Sequence, residues 1–294
     1  MTAQIIDGKA ISENLLREIA ADVEKMKQDG LPCPGLATVL VGENPASQQY
    51  VRMKRKTCEK NGMDSFGYEL PATASQDEVE GLVKQLNADP KINGILVQLP
   101  LPGHLDDEKI LNSISLEKDV DGFHPINIGR LAQKGREPLF VPCTPDGCIY
   151  LIDQTGFQLK GANAVVLGRS NIVGMPVALL LVKRDATVTI CHSRSKDLPA
   201  ICRSADVLIA AVGKPEMVKA DWIKPGAVVI DVGTNRVDDP GSEKGYRLAG
   251  DVDFNQAKEV AGWISPYPGG VGPMTITMLM RNTVRAAKIQ AGVL

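Results

Sequence analysis

The stretch Val165-Val166-Leu167-Gly168-Arg169-Ser170-Asn171-Ile172-Val173-Gly174-Met175-Pro176 constrains the fold more than any other part of the chain. An apolar run ends in Gly168, a short polar turn follows, and Gly174 opens an apolar segment from Val177 to Val182. The pattern reads as strand, glycine turn and buried helix, the unit from which open parallel sheets are built. Free N–H groups at a helix start favour an anion, so the turn reads as a phosphate cradle. The dinucleotide fingerprint is G-x-G-x-x-G, and here Ser170 stands at the middle glycine. A plain helix-packing turn is the competing reading. The segment after the turn favours the nucleotide. Thr187 to Cys191 reads as the second strand and runs into His192-Ser193-Arg194-Ser195. That is about 20 residues on, where an NAD-binding domain carries an acid for the ribose hydroxyls. Hydroxyls and an arginine there, with Arg169 in the turn, suit a 2′-phosphate, and NADP is expected over NAD.

The turn lies beyond residue 160 of 294, so a whole domain's worth of chain precedes it, and two domains are expected. A first strand–helix series fills that space. A helix over residues 10–29 precedes a strand over 36–41, a helix over 44–61 stopped by Gly62, a strand over 65–70, a helix over 76–87 and a strand over 94–99. The second series continues past the turn with strands at 207–212 and 227–232. Strands alternating with helices give an α/β fold with largely parallel sheets. Residues 121–145, rich in Pro and Gly, read as a connection. Thr144-Pro145-Asp146 reads as an N-cap with proline at the first helical position. A last helix over 274–290 is expected to pack back on the first domain, and residues 238–246 read as a surface loop.

Composition removes several function classes. Net charge is −2 with no basic block, so the electrostatic footprint of a nucleic-acid binder is missing. No apolar run approaches the ~20 residues of a membrane span, and the N-terminus does not read as a signal peptide. Six scattered cysteines form no C-x-x-C pair and three histidines stand far apart, so no metal site is expected. Reduced thiols in the cytoplasm are the default reading.

Four constellations could carry chemistry. Tyr50-Val-Arg-Met-Lys54 puts Tyr50 and Lys54 on one helical face. A lysine serves as an acid or base when desolvation or a neighbouring charge lowers its pKa. The competing reading is a solvated basic face, because Arg52, Arg55 and Lys56 stand beside it. Gln98 ends a strand and meets Pro100-Leu101-Pro102, at the carboxyl edge where open α/β sheets bind ligands. In Asp119-Val-Asp121-Gly122-Phe123-His124-Pro125, a carboxylate can pair with an amino-pyrimidinone edge, although Asp-Gly is also a common turn and His124 reads as structural. Pro266-Tyr-Pro268-Gly269-Gly270-Val271-Gly272-Pro273-Met274-Thr275 lets backbone approach a flat ligand closely.

Taken in order along the chain, these motifs resemble the bifunctional methylenetetrahydrofolate dehydrogenase/methenyltetrahydrofolate cyclohydrolase (FolD) family. They are Tyr50-x-x-x-Lys54, Gln98-Leu-Pro-Leu-Pro102, Asp119-Val-Asp-Gly-Phe-His-Pro125, Gly168-Arg-Ser-x-Ile-Val-Gly174 and Pro268-Gly-Gly-Val-Gly-Pro273. The resemblance implies two α/β domains with a cleft between them, usually as a homodimer. Residues 1–145 with 275–294 would bind folate, and 146–274 would form a Rossmann-type NADP domain. It implies hydride transfer from 5,10-methylenetetrahydrofolate to NADP, then hydrolysis of the methenyl cation to 10-formyltetrahydrofolate. Lys54 would be the general acid/base, and Gln98 would hydrogen-bond and tune it. Tyr50 would line the pterin and Asp121 would hold its edge. Val97, Leu99, Pro268, Gly269, Gly270 and Thr275 would border folate. Gly168, Arg169, Ser170, Ser193 and Thr234 would contact NADP. Cys143 reads as a neighbour of the site and not a nucleophile.

Two other readings stay open at this point. A shikimate-dehydrogenase-like enzyme would keep the Gly168 turn and a first-domain lysine, but it does not call for the Asp121 and Pro268 motifs. A non-catalytic folate- or nucleotide-binding protein would have no need of Lys54, Gln98 and Asp121 together.

Overall fold

The computed structural model describes residues 2–242 and 245–294. In chain order its first elements are β1 (Gln4–Ile5), α1 (Gly8–Gln28), β2 (Gly35–Val41), α2 (Pro45–Lys60), β3 (Asp64–Leu70), α3 (Gln76–Ala88), β4 (Gly94–Val97), α4 (Asp107–Asn112), α5 (Pro125–Ala132) and α6 (Cys143–Gln154). There follow β5 (Asn163–Leu167), α7 (Gly174–Lys183), β6 (Thr187–Cys191), α8 (Leu198–Arg203), β7 (Val207–Ala210), β8 (Val228–Asp231), β9 (Asn235–Asp238), β10 (Tyr246–Ala249), α9 (Phe254–Ala257), β11 (Trp263–Ile264) and α10 (Val271–Gln290). The chain divides into two compact units. One comprises residues 1–12 and 144–275, the other 13–143 and 276–294.

The second of these, called the Lys54 unit below, holds a parallel sheet in the order β3-β2-β4. Every residue of β2 and β4 is buried, as expected for central parallel strands covered on both faces, while β3 alternates as an edge. Its helices start where side chains replace missing backbone partners. Asn44 accepts from Ala46 N and Ser47 N ahead of Pro45, and Ser75 with Glu78 closes a capping box on α3. One core joins Val39, Val41, Val79, Val83, Ile95 and Ile110. From Ile276 onward α10 belongs to this unit, where Asn282 Nδ2 donates to Val120 O at 2.8 Å and Lys288 pairs with Asp22.

The other, the Gly168 unit, holds a six-stranded parallel sheet in the order β1-β11-β8-β7-β5-β6. Its core gathers Val165, Leu167, Leu208, Ala210, Val229 and Ile264. The α/β class and the strand–helix alternation expected from the sequence hold in both units.

Four details differ from the sequence reading. Residues 2–12 were placed with the first domain, yet β1 pairs with β11 of the six-stranded sheet. Residues 121–145 are not a bare connection, because α5 lies within them. His124 Nδ1 accepts from Ile126 N and Pro125 sits in the first turn, so part of this Pro-containing stretch starts a helix. Thr144 is not an N-cap, because α6 already begins at Cys143. Asp238 and Tyr246 belong to the arms of an antiparallel hairpin, β9 with β10, and residues 243–244 lie outside the described residues. No helix among the described residues is long and apolar enough to cross a membrane.

Candidate active site

Both sheets reverse their strand order, and open α/β sheets bind ligands beyond the strand ends where that happens. In the Lys54 unit the reversal lies at β2, whose neighbours β3 and β4 follow it in sequence on opposite sides. Gln98 stands at the end of β4, and its N–H donates to Val39 O of β2 at 2.9 Å. The helix that leaves β2 is α2. Its buried residues are Ser47, Val51, Lys54 and Cys58, spaced 4, 3 and 4 apart on one stripe. Lys54 therefore occupies a core position and is only 6 % exposed, whereas Arg52 and Lys56 are exposed and Arg55 is half-buried. The solvated-face reading holds for its neighbours and not for Lys54.

Lys54 Nζ donates to Gln98 Oε1 at 2.9 Å. Gln98 Nε2 donates to Leu99 O at 2.6 Å, which fixes the amide so that its oxygen faces the lysine. Burial pushes the Lys54 ammonium below its ordinary range, and the negative charge of Asp121 opposes the shift. Burial pushes the Asp121 carboxyl up, against the Lys54 charge and a hydrogen bond with Cys143. Burial thus draws both the amine and the carboxyl toward their neutral forms. Tyr50 lies one turn before Lys54 and is half-buried. Val97 is buried at the end of β4, and Leu99 is half-buried in the turn beyond it.

Asp121 sits on a loop that other buried groups shape. Asp119 accepts from Phe123 N (3.1 Å), His124 N (2.9 Å) and Asn127 Nδ2 (2.7 Å), and burial lifts its carboxyl to about 7. Gly122 has φ +78°, and a Cβ there would run into Val141 and Pro142. Asn282 Nδ2 ties Val120 O (2.8 Å) to Val141 O (3.1 Å). Cys143 is buried, with Sγ donating to Val120 O at 3.3 Å, as befits a neighbour of the site. Sequence reasoning missed Asn127 and Asn282. The available signal for Asn282 was an amide on the buried stripe of an apolar helix.

In the Gly168 unit the strand order reverses at β5, between β6 and β7. A pocket of 260 Å³ opens there, lined among others by Gly168, Arg169, Ser170, Ser193, Val212 and Lys214. Gly168 has φ +126°, and a Cβ would collide with Ala211 O, so only glycine lets the turn close over β7. The helix start differs from the free cradle read in the sequence. Ser170 Oγ accepts from Val173 N (3.2 Å) and Gly174 N (3.3 Å), Ser170 O accepts from Met175 N (3.0 Å), and Pro176 has no N–H. The serine that replaces glycine thus supplies acceptors to N–H groups at the start of α7. The pocket is left to the turn, Arg169, His192, Ser193 and Lys214 for anion recognition.

Thr234, Pro268, Gly269, Gly270 and Thr275 also belong to this unit but do not line that pocket. Thr234 is exposed between β8 and β9. The Pro268 loop abuts the start of α1, where Lys9 N donates to Gly269 O at 2.9 Å, and Thr275 Oγ1 lies 2.9 Å from Thr144 Oγ1.

Two further carboxylates went unread in the sequence. Asp251, fully buried, accepts from Val212 N, Gly213 N, Lys214 N and Asn235 Nδ2. Asp231 accepts from Gly233 N, Asp251 N and Val252 N, and burial with the Asp251 charge lifts it to about 7.

Residues 6–121 match the model of the tetrahydrofolate dehydrogenase/cyclohydrolase catalytic domain, and residues 142–291 match the NAD(P)-binding domain of the same family. The chain belongs to this family. It is 58% identical over 287 residues to bifunctional protein FolD 2 of Arabidopsis thaliana, covering 98% of this chain and 96% of that protein. It is also 58% identical over 288 residues to bifunctional protein FolD of Moorella thermoacetica, covering 98% and 100%. The crystal structure of Trypanosoma brucei N5,N10-methylenetetrahydrofolate dehydrogenase-cyclohydrolase, complexed with NADP cofactor and inhibitor, aligns with TM-score 0.95 at 42% identity over 99% of each chain. This membership does not favour the shikimate-dehydrogenase-like alternative.

Proposed function

We propose that this FolD-family chain oxidises 5,10-methylenetetrahydrofolate with NADP and hydrolyses the product to 10-formyltetrahydrofolate. The observation that carries the reading is the buried Lys54–Gln98 pair beside Asp121 at a strand-order reversal, in a chain with both family domains. NADP, when bound, takes up the hydride. The residues present fit it, since Gly168, where a Cβ would strike Ala211 O, lets the turn close beside a pocket that Arg169, Ser170 and Ser193 line. Loss of hydride from the methylene carbon leaves a cation shared by two nitrogens, so that step requires no protein base. Asp121 holds the pterin edge, Tyr50 lines its face, and Val97, Leu99, Pro268, Gly269, Gly270 and Thr275 border folate. Thr234 contacts NADP.

Hydrolysis is the step in which Lys54 moves a proton. Water adds to the methenyl carbon, and neutral Lys54 takes the proton that the water loses. The carbon–N5 bond then breaks as the adduct's hydroxyl loses its proton to solvent and becomes the formyl C=O, N5 takes up a proton from Lys54, and the formyl group remains on N10. One water is consumed and one proton is released overall. Gln98 keeps Nζ aimed by accepting from it.

Lys54→Met preserves chain length and apolar packing but removes the titrating group. Hydrolysis of methenyltetrahydrofolate should fall by about a thousandfold while folate binding stays measurable. Unchanged hydrolysis removes Lys54 from this role. Steady-state assay of the wild-type protein with methylenetetrahydrofolate tests the whole reading, and absence of NADP reduction sinks it.

A homodimer and a cytoplasmic setting are part of the same proposal. Support for the dimer is the edge strand β6 with exposed Ile190, beside exposed Met175 and Val182 of α7. Support for a reducing compartment is that all six cysteines are free thiols. Sedimentation tests the dimer, and a monomer at micromolar concentration refutes it.

A further inference from the structure

One wall of the Gly168 pocket is the loop Ala211-Val212-Gly213-Lys214 that leaves β7. Its backbone is folded around an internal anion. Asp251 Oδ2 accepts from Val212 N at 2.6 Å and from Gly213 N at 3.0 Å, and Oδ1 accepts from Lys214 N at 2.9 Å. Three successive N–H groups converging on one carboxylate make a backbone nest, a geometry usually filled by a bound anion. Gly213, at φ +64°, supplies the left-handed residue that the nest needs.

The carboxylate cannot drift. It is fully buried, Asn235 Nδ2 donates to it at 2.8 Å, and its own N–H donates to Asp231 Oδ1 at 2.8 Å. Asp231 in turn accepts from Gly233 N and Val252 N, and a Cβ on Gly250 would overlap it. Two interlocked carboxylates thus hold the loops that follow β7 and β8 and the strand-like segment from Gly250 to Val252. The 212–214 N–H groups are turned inward to Asp251. Ala211, Val212 and Lys214 line the pocket.

We propose that Asp251 is a positioning residue for dinucleotide binding, setting the pocket wall formed by Ala211, Val212 and Lys214. The proposal rests on the NADP reading of that pocket. It assigns Asp251 no contact with the reacting atoms and no part in hydrolysis, whose residues belong to the other unit. Asp251→Asn keeps the shape but turns one oxygen into an N–H₂ that faces backbone donors.

The test uses the whole protein. NADP binding by the wild-type chain is measured first, and its absence removes the NADP reading and this proposal with it. With binding established, Asp251→Asn should raise the KM for NADP about tenfold, while kcat at saturating NADP and the hydrolysis rate stay within about twofold. Unchanged KM overturns the proposal. A parallel fall in both activities also overturns it, because that is the mark of general damage. Gly213→Ala is the second arm, since no atom lies within 4 Å of the added Cβ and only the nest conformation is strained. It should raise the KM for NADP in the same selective way, and it decides the matter if Asp251→Asn does not fold. An unchanged KM there overturns the proposal.

Discussion

Replacing Gln98 by methionine isolates what the amide does for Lys54. The pair is joined by one bond, Lys54 Nζ to Gln98 Oε1 at 2.9 Å. With the lysine charged, such a bond contributes about 1.5–3 kcal/mol; between neutral partners it contributes about 0.5–1.5 kcal/mol. The difference, about 1–2 kcal/mol, is stabilisation that only the ammonium receives. At 1.36 kcal/mol per pKa unit, its loss lowers the Lys54 pKa by about one unit, beyond the lowering that burial already causes. Methionine fills the same volume, so packing changes little.

Lysine labelled with ¹³C at Cε reports the titration directly, with Lys54 assigned by the resonance missing in Lys54→Met. Scanned from about pH 6 to about pH 10, the inflection should move acidward by about one unit. The pH at which hydrolysis reaches its plateau should move with it. Stability follows the same sign. A folded pKa below the unfolded one means that burying the ammonium costs stability below the folded pKa, and the cost fades as pH rises toward about 10.4. The variant enlarges that cost, so its Tm deficit should be greater near neutrality than at about pH 10. An inflection that stays put, or moves to higher pH, refutes the argument that Gln98 stabilises the charged amine.

Arg169→Ala should raise the KM for NADP by about tenfold or more and leave that for NAD nearly unchanged, because the guanidinium is assigned to the 2′-phosphate; equal changes in both refute the assignment. Ser170→Ala removes the cap from Val173 N and Gly174 N and should cost about 1 kcal/mol of stability in thermal unfolding, so an unchanged Tm contradicts the capping role. Asp119 and Asp231, both lifted to about 7 by burial, titrate near 3.9 when unfolded, so the folded state holds their protons longer and stability is lost as pH rises from about 4 through about 7. His124, lowered by burial, works in the opposite direction, but Asp121, raised by burial, acts with the two aspartates. Tm should therefore be lower near pH 8 than near pH 5, and a rise contradicts the assignment of those carboxyls.

The strands and most helices were legible because burial imposes a pattern. The largely apolar runs at β2, β4, β5, β7 and β8 are the buried central strands of parallel sheets. Lys54 and Gln98 were legible as residues, and the family resemblance implied their hydrogen bond, but the basic neighbours Arg52, Arg55 and Lys56 obscured which face of α2 looks inward. The stripe Ser47, Val51, Lys54, Cys58 answers that, and it could have been counted in advance. The Ser170 cap and the Asp251 nest were illegible for a different reason. Both are bonds between a side chain and backbone N–H groups, and backbone carries no sequence signal beyond its glycines. The strand β1 was missed because two residues are too few to show a period, and their partner is 259 positions away at Trp263.

The two candidate sites solve recognition with different materials, and the topology explains why each can. At a strand-order reversal the adjacent connections leave toward opposite faces of the sheet, so the strand ends between them stay uncovered. In the Lys54 unit that opening lets a side chain be desolvated by its own helix and still meet a ligand. An ammonium buried in that core without partners would lower stability. In the Gly168 unit the same opening is lined by backbone, made approachable by Gly168 and held in one conformation by Asp251. Proton transfer requires a group whose charge can change, and only a side chain supplies one. Holding a cofactor in place requires shape that does not change, which a glycine turn locked by a buried carboxylate provides. Substitutions should divide accordingly: those near Lys54 move pH profiles, and those near Asp251 move the KM for NADP.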